Sequence, residues 1–283
     1  MDNILVITVM NDLKLLKILF LLTVFLSGSL SVVLSQTQTK ENSGNFQMFM
    51  PNYFILGRNI YNSYKEKEIN DVDVEGFTKF QVSFMYDITK IKKSHFIFFH
   101  YTQVSFWNIG QESNPFAEIN YQPGILYNYK LNNRYLNDFR IGIFHESNGE
   151  SEDRSKSLDI GFQTYLLKEF KLKDFTFNTI LRIFYVPESS LEENPEYHDY
   201  MGYHNLFLEL RYKEWGCVEL KTQGFIIEGK GAIQIGIVSH SLLDFKNYFT
   251  PRLYIQWYYG YGESLINYST KSNSLRLGII FRD

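Results

Sequence analysis

Apolar and polar residues alternate along several ten-residue segments of this chain, and this period of two constrains its fold more than any other feature. Leu253, Ile255 and Trp257, for example, alternate with Arg252 and Gln256. The same pattern recurs at 80–86, 119–129, 206–212, 218–223 and 275–282. Because successive side chains of a β-strand point to opposite faces, each segment predicts a strand with one apolar and one polar face. The chain is therefore expected to be all-β.

Two architectures share this period. A soluble β-sandwich packs its apolar faces inward, whereas a transmembrane β-barrel turns them toward lipid and keeps polar residues inside. Further strands are expected at 52–58, 95–106, 139–147, 157–168, 174–186 and 231–239. The total is about twelve, an even number as in single-chain bacterial barrels. We predict a transmembrane antiparallel β-barrel over 52–283, although 157–168 alternates too poorly to predict its facing.

The N-terminus has the pattern of a targeting segment. Lys14 and Lys17 precede an apolar run over 18–34, which is followed by Ser35 and then polar residues. A basic start, an apolar centre and a small residue at the end are typical of a secretory signal peptide. The alternative is a membrane anchor helix, which needs roughly 20 apolar residues. We expect a signal peptide over 1–35 and a polar lead-in over 36–51, and export favours the barrel.

Composition narrows the function. The 283 residues carry a formal net charge of −3, so nothing indicates nucleic acid as a partner. The single cysteine, Cys217, excludes an intramolecular disulfide and a multi-cysteine metal site. The acidic stretch 192–199 is expected to be a solvated loop.

One strand carries candidate catalytic residues on its apolar face. His145 and Ser147 share parity with Ile141 and Ile143. Burying an unpaired imidazole and hydroxyl in a soluble core is costly, but on a barrel this face points toward lipid. A serine hydroxyl becomes a nucleophile when a base takes its proton, and a third group orients that base.

A candidate for the third group follows after a short turn. If 149–154 form the turn of a hairpin, the next strand returns antiparallel and brings Asp159 beside His145. The spacing alone leaves open whether these residues are catalytic, because a His-x-Ser sequence also arises by chance.

The motif resembles that of a known family. His145-Glu146-Ser147-Asn148-Gly149, followed by Ser155-Lys156-Ser157, is similar to the outer membrane phospholipase A signature, which is His-x-Ser-Asn-Gly and then Ser-Arg-Ser-Trp-Asn. Further segments agree in the family's order, and they are 101–103, 115–123, 200–203 and 260–266. The resemblance spans most of the chain after the signal peptide.

The resemblance implies a twelve-stranded barrel of the bacterial outer membrane. It implies a calcium-dependent homodimer that hydrolyses sn-1 and sn-2 acyl esters of membrane phospholipids and lysophospholipids. Ser147 would be the nucleophile, His145 the base and the Gly149 amide an oxyanion donor. Asp159 stands where the family has the Asn that orients the base.

The resemblance also implies a shared calcium site. Its ligands would come from Glu150, through the main-chain carbonyl, from Ser155 and, across the dimer, from Ser113. Glu150 replaces the family's Arg, which leaves a carbonyl ligand intact. Lys156 and Leu158 replace Arg and Trp, which affects local packing.

Two other functions remain open at this level. A porin-like or catalytically inactive barrel would keep an open, wet interior, whereas about twelve strands can be filled by side chains. A soluble periplasmic lipase would not fractionate with membranes.

Overall fold

Twelve antiparallel strands close into a barrel, as the alternation predicts. The computed structural model describes residues 46–60, 78–109, 112–151, 154–224, 229–241 and 250–282, so the predicted signal peptide lies outside the described residues. The strands are β1 (Phe46–Gln47), β2 (Asn52–Asn59), β3 (Thr78–Lys92), β4 (His95–Trp107), β5 (Phe116–Lys130), β6 (Asp138–Ser147), β7 (Ser157–Leu172), β8 (Phe175–Tyr185), β9 (His204–Tyr212), β10 (Gly216–Gln223), β11 (Ala232–Ser241), β12 (Arg252–Gly260) and β13 (Ser272–Phe281). A 3-10 turn spans Glu188–Ser190, and a short helix, α1, spans Tyr197–Met201. In the part of the chain described, no helix has the length and apolar character needed to cross a membrane.

The barrel strands form a closed ring. Apart from the two-residue β1, each strand pairs with its neighbours in sequence, and β2 pairs with β13 as well as with β3. Each strand of the ring therefore has a partner on both sides, as the hydrocarbon region of a membrane requires, and β2 pairs with β3 over Tyr53–Leu56. The predicted strand count and fold class are confirmed.

The two faces of the strands settle the choice between sandwich and barrel. Ile255 and Leu277 are 41% and 55% exposed, whereas the adjacent Gln256 and Arg276 are 1% and 3% exposed. Apolar side chains therefore point outward and polar ones inward, the reverse of a soluble protein. The sandwich alternative is wrong for this chain.

Charged side chains in the lumen lie in bonded sets. The Lys79 Nζ lies 3.3 Å from the Glu263 Oε1, and Arg276 pairs with the same carboxylate. The Ser274 hydroxyl donates to Glu263 at 2.9 Å. A carboxylate shared by two cations and a hydroxyl satisfies groups that would otherwise be costly to bury.

The two ends of the barrel differ in their connections. Short turns such as 93–94 and 173–174 lie at one end, and longer loops at 108–115, 148–156, 186–203 and 261–271 lie at the other. Outer membrane barrels keep short turns on the periplasmic side and long loops outside the cell. Leu191, Tyr197 and Leu265 from two long loops pack against Phe144 and Phe184 in the lumen. The long-loop end is therefore covered, next to the end of β6.

The last residues of the predicted lead-in enter the opposite end of the lumen. The Phe49 ring stacks on His100 with centroids 4.4 Å apart and meets Tyr165 edge-on at 6.0 Å. The Gln81 Nε2 donates to the Pro51 carbonyl at 2.7 Å. The expected lead-in is polar over 36–45, which lie outside the described residues, but its aromatic end is part of the packed interior.

Glu263 gives a test of how much the lumen depends on its ion pairs. Replacing Glu263 by Gln leaves Lys79 and Arg276 with an uncompensated charge, so we expect a loss of about 3–5 kcal/mol in the free energy of unfolding. Denaturant unfolding in phospholipid vesicles, followed by tryptophan fluorescence, measures it. The control is Glu169→Gln, which breaks an exposed pair with Lys171 and should change stability by less than about 1 kcal/mol. Equal stability of the two variants would contradict the prediction.

The same carboxyl sets a pH dependence. Burial alone would raise the pKa of Glu263, but the charges of Arg276 and Lys79 outweigh it and lower the pKa to about 2. A lowered pKa contributes stability above the unfolded value of about 4.3, and this contribution is lost as the pH falls toward 2. Glu263→Gln should therefore unfold with a flatter pH dependence between about pH 4 and 2.

Candidate active site

His145 and Ser147 lie at the long-loop end of β6 and point away from the lumen. Ile141 and Ile143 precede them on the same face and are 47% and 44% exposed. The intervening Glu146 points inward, where it accepts a hydrogen bond of 2.7 Å from the Gln122 Nε2. The face predicted to meet lipid is the outer face of the barrel.

A β-bulge lies opposite His145. In the pairing of β6 with β7, Phe144 faces Gly161 and Glu146 faces Leu158, so two residues of β7 oppose one of β6. The two residues opposite His145, 159 and 160, are both exposed. The bulge reverses the parity of β7, which explains why 157–168 alternates poorly in sequence.

The bulge brings Asp159 beside His145 through its main chain. The His145 Nδ1 lies 3.1 Å from the Asp159 carbonyl oxygen. A carbonyl only accepts, so the proton sits on Nδ1 and the Nε2 lone pair is left to act as a base. The Asp159 carboxylate, to which the sequence assigned this contact, accepts instead from the Ser157 hydroxyl at 2.9 Å.

Ser147 closes the strand and lies between two neighbours. It faces Tyr121 of β5 and Ser157 of β7 in the register. Its hydroxyl has no hydrogen bond to another described residue, and this includes His145. Nucleophile–base contacts in free active sites are often long and tighten when substrate binds.

Gly149 follows two residues later in a left-handed conformation. Its φ is +66°, and a Cβ at this position would lie 2.9 Å from the Tyr121 ring. Both observations favour glycine. Within the described residues its amide donates no hydrogen bond, so the amide can donate to a ligand near Ser147.

No role was predicted for Asn148, which is 3% exposed between Ser147 and Gly149. Its Oδ1 accepts from the amides of Glu150 at 3.2 Å and Lys156 at 3.0 Å. Its Nδ2 donates to the Arg154 carbonyl at 2.7 Å. An Asn before Gly at a strand end is a turn signal, and this is the cue that could have identified it.

Several oxygen atoms that could bind a cation lie around Ser155, one of the predicted calcium ligands. The Ser155 hydroxyl lies 2.9 and 3.0 Å from the two carboxylate oxygens of Glu193, in a stretch expected to be merely solvated. Glu150 lies on the same loop, and its carboxylate pairs with Arg154 at 3.6 Å, which leaves the carbonyl as its candidate ligand. Hydroxyl, carboxylate and carbonyl oxygens are the donors that calcium prefers. Ser113 is exposed on the separate loop 108–115.

Known proteins resemble this chain along most of its length. A family model described as Phospholipase A1 matches residues 31–281. A relative from Salmonella typhimurium named Phospholipase A1 is 27% identical over 267 residues, which cover 89% of this chain and 87% of the relative.

Solved structures agree with the fold. The outer membrane phospholipase A from Escherichia coli matches with a TM-score of 0.71 and 25% identity, over 84% of this chain and 94% of that one. The dimer of Salmonella typhi outer membrane phospholipase with bound calcium matches with a TM-score of 0.71 and 26% identity, over 86% and 95% of the two chains.

The contact between His145 and Asp159 predicts a tautomer. His145 should carry its neutral proton on Nδ1, and Asp159→Ala should keep this tautomer because the acceptor is a main-chain carbonyl. Nitrogen-15 NMR of histidine-labelled protein in micelles distinguishes the two nitrogens, and His145→Gln assigns the signal among the 6 histidines. A proton on Nε2 in the unaltered protein, or a change of tautomer in Asp159→Ala, would refute the carbonyl contact.

Proposed function

Because this chain belongs to the phospholipase A1 family, we propose that Ser147 is the nucleophile with which it hydrolyses the acyl esters of surrounding phospholipids. The chain is a phospholipase of the bacterial outer membrane. The observation that carries the proposal is the outward orientation of Ser147 and His145 beside Ile141 and Ile143. A nucleophile on this face meets the acyl-ester region of lipids at the barrel surface, whereas one in the lumen would not.

In the proposed reaction, the Ser147 Oγ attacks the ester carbonyl carbon while the His145 Nε2 takes its proton. The resulting imidazolium gives this proton to the leaving lysophospholipid oxygen. Water, activated by the same imidazole, then hydrolyses the acyl-serine and releases the fatty acid. Asp159 orients the ring through its carbonyl, which lies 3.1 Å from Nδ1, and its carboxylate adds negative charge near the imidazolium.

The Gly149 amide is the proposed donor to the oxyanion. Its left-handed conformation, with φ +66°, turns the main chain out of the strand direction two residues after Ser147. A single preorganised donor of this kind stabilises the transition state by roughly 3 kcal/mol. The proposed substrates are phospholipids, hydrolysed at the sn-1 or sn-2 ester, and lysophospholipids.

We propose calcium as the cofactor, since a structural neighbour is a dimer with bound calcium. The ligands would be the Ser155 hydroxyl, the Glu150 carbonyl and Ser113 of a second copy of the chain. The oxygen atoms gathered at Ser155 and Glu193 suit this ion. Bound calcium would supply positive charge near the oxyanion. Ligands from two copies would make activity depend on homodimerisation.

The porin-like alternative is less well supported. The lumen is occupied by paired charges such as Lys79, Glu263 and Arg276 and covered by packed loops at its long-loop end. Family membership also favours an enzyme over a channel or an inactive barrel.

Ser147→Ala should abolish hydrolysis while the barrel stays folded, because the nucleophile is lost and no strand contact changes. Fatty-acid release from phospholipid micelles and the heat-dependent gel shift of the folded barrel measure the two properties. Ser239→Ala is the matched control, since this hydroxyl lies on β11 and accepts from the Leu253 amide at 2.9 Å. Hydrolysis by Ser147→Ala at a tenth of the original rate or more would overturn the assignment.

Chelation should stop turnover and dissociate the dimer, because the proposed ligands come from two copies. Ser155→Ala, which removes one ligand, should raise the calcium concentration for half-maximal activity by roughly tenfold or more. Cross-linking and rate measurements across a calcium titration test both, with Ser239→Ala again as the control. A rate and a dimer fraction that do not respond to chelator would contradict the shared site.

A further inference from the structure

We propose that Asn148 is a positioning residue that holds the Gly149 amide and the calcium-binding part of the loop 148–156 in one fixed arrangement. The proposal rests on the roles proposed above for Gly149, Glu150 and Ser155. Asn148 itself touches neither substrate nor calcium in this proposal, and it acts through the main chain of the loop.

The side chain of Asn148 replaces a rung of the β6–β7 ladder. The last pair of the two strands is Ser147 with Ser157. Beyond this pair, the main-chain amide of Asn148 still donates to the Lys156 carbonyl at 3.0 Å. The return bond from the Lys156 amide goes to the Asn148 Oδ1, also at 3.0 Å, instead of the Asn148 carbonyl. The main chain is therefore released from the sheet one residue after Ser147, while the strands stay paired.

This release allows the turn at Gly149. A chain that continued the ladder would keep Gly149 in the extended conformation, but its φ is +66°. The second bond to the Asn148 Oδ1, from the Glu150 amide at 3.2 Å, bends the chain back over the side chain. Gly149 thus lies between Asn148, whose Oδ1 accepts this bond, and Glu150, whose main-chain amide donates it.

The same side chain reaches the far part of the loop. The Asn148 Nδ2 donates to the Arg154 carbonyl at 2.7 Å, and Oδ1 holds the Lys156 amide. Ser155, a proposed calcium ligand, lies between these two anchored residues. The buried side-chain amide of Asn148 therefore connects Glu150 with the segment around Ser155.

Loss of this side chain would leave three main-chain groups of the loop without their partner. Main-chain polar groups that lose a partner recruit water or move, and either change displaces the loop. The oxyanion donor and the calcium ligands should then be affected together. This joint effect distinguishes a positioning residue from one that serves only a single subsite.

Kinetics on the full-length protein in phospholipid micelles form the first part of the test. In Asn148→Ala, kcat at saturating calcium should fall roughly 10- to 100-fold, less than or similar to the loss of an oxyanion donor. The calcium concentration for half-maximal activity should rise roughly tenfold. The KM for phospholipid should change by less than about twofold, because the lipid-facing side chains are unaltered. Asn148→Ser should be intermediate, since a hydroxyl makes such bonds more weakly.

The matched control is Asn133→Ala at the opposite end of the barrel. The Asn133 Oδ1 also accepts from two loop amides, those of Tyr135 at 2.8 Å and Leu136 at 2.9 Å. It therefore makes the same kind of contact far from Ser147. Its kcat and calcium requirement should match those of the unaltered protein.

Hydrogen exchange in the presence of chelator forms the second part and does not depend on activity. The amides of Glu150 and Lys156 should exchange about tenfold faster or more in Asn148→Ala, with an intermediate rate in Asn148→Ser. Unchanged exchange, or faster exchange without any change in kcat and calcium requirement, would overturn the proposal. If the Ser147→Ala variant still hydrolysed phospholipid, the proposed function would be overturned instead. If Asn148→Ala shows no heat-dependent gel shift, Asn148→Ser decides by the same criteria.

Discussion

The pairing of charges inside the lumen is the constraint on which the rest of the structure depends. Glu263 is shared by Lys79 and Arg276, and Arg282 is held by Glu209 and Glu219. These pairings lower the cost of burying charged groups, so the polar faces of the strands can be turned inward. The apolar faces are then free to meet lipid, and a reactive group on them is placed against substrate by the fold itself.

The period of two along the strand determines which residues of the candidate site face lipid. His145 and Ser147 are two residues apart, so they share the lipid face, whereas Glu146 between them faces the lumen. A register slip by one residue would exchange these faces and bury the candidate base and nucleophile. The bulge opposite His145 modifies the regular ladder at one point and supplies a carbonyl to its Nδ1. The regular part of the barrel thus sets which way the two candidate residues face, and the bulge supplies the main-chain contact to His145.

The sequence was sufficient for the strands and for the shared face of His145 and Ser147, because both follow from parity, whereas the roles proposed for these two residues rest on the resemblance of their motif to a family. It could not predict the bulge, since a bulge depends on which residues of β7 meet β6 across space. For the same reason, it assigned the contact with His145 to the Asp159 carboxylate, although the carbonyl makes it. The bond from Ser155 to Glu193 joins loops 38 residues apart, which no local pattern encodes. Asn148 lay within the recognised motif, but its role depends on hydrogen bonds that only the folded loop reveals.

The aromatic end of the N-terminal segment has a consequence for the order of assembly. Phe49 precedes the first barrel strand in the chain, yet the rings it meets belong to His100 on β4 and Tyr165 on β7. The site that holds the Phe49 ring therefore forms only when β4 to β7 have paired. Phe49 therefore docks after these strands have paired. The interior is thus completed by a residue that is synthesised before the strands against which it packs.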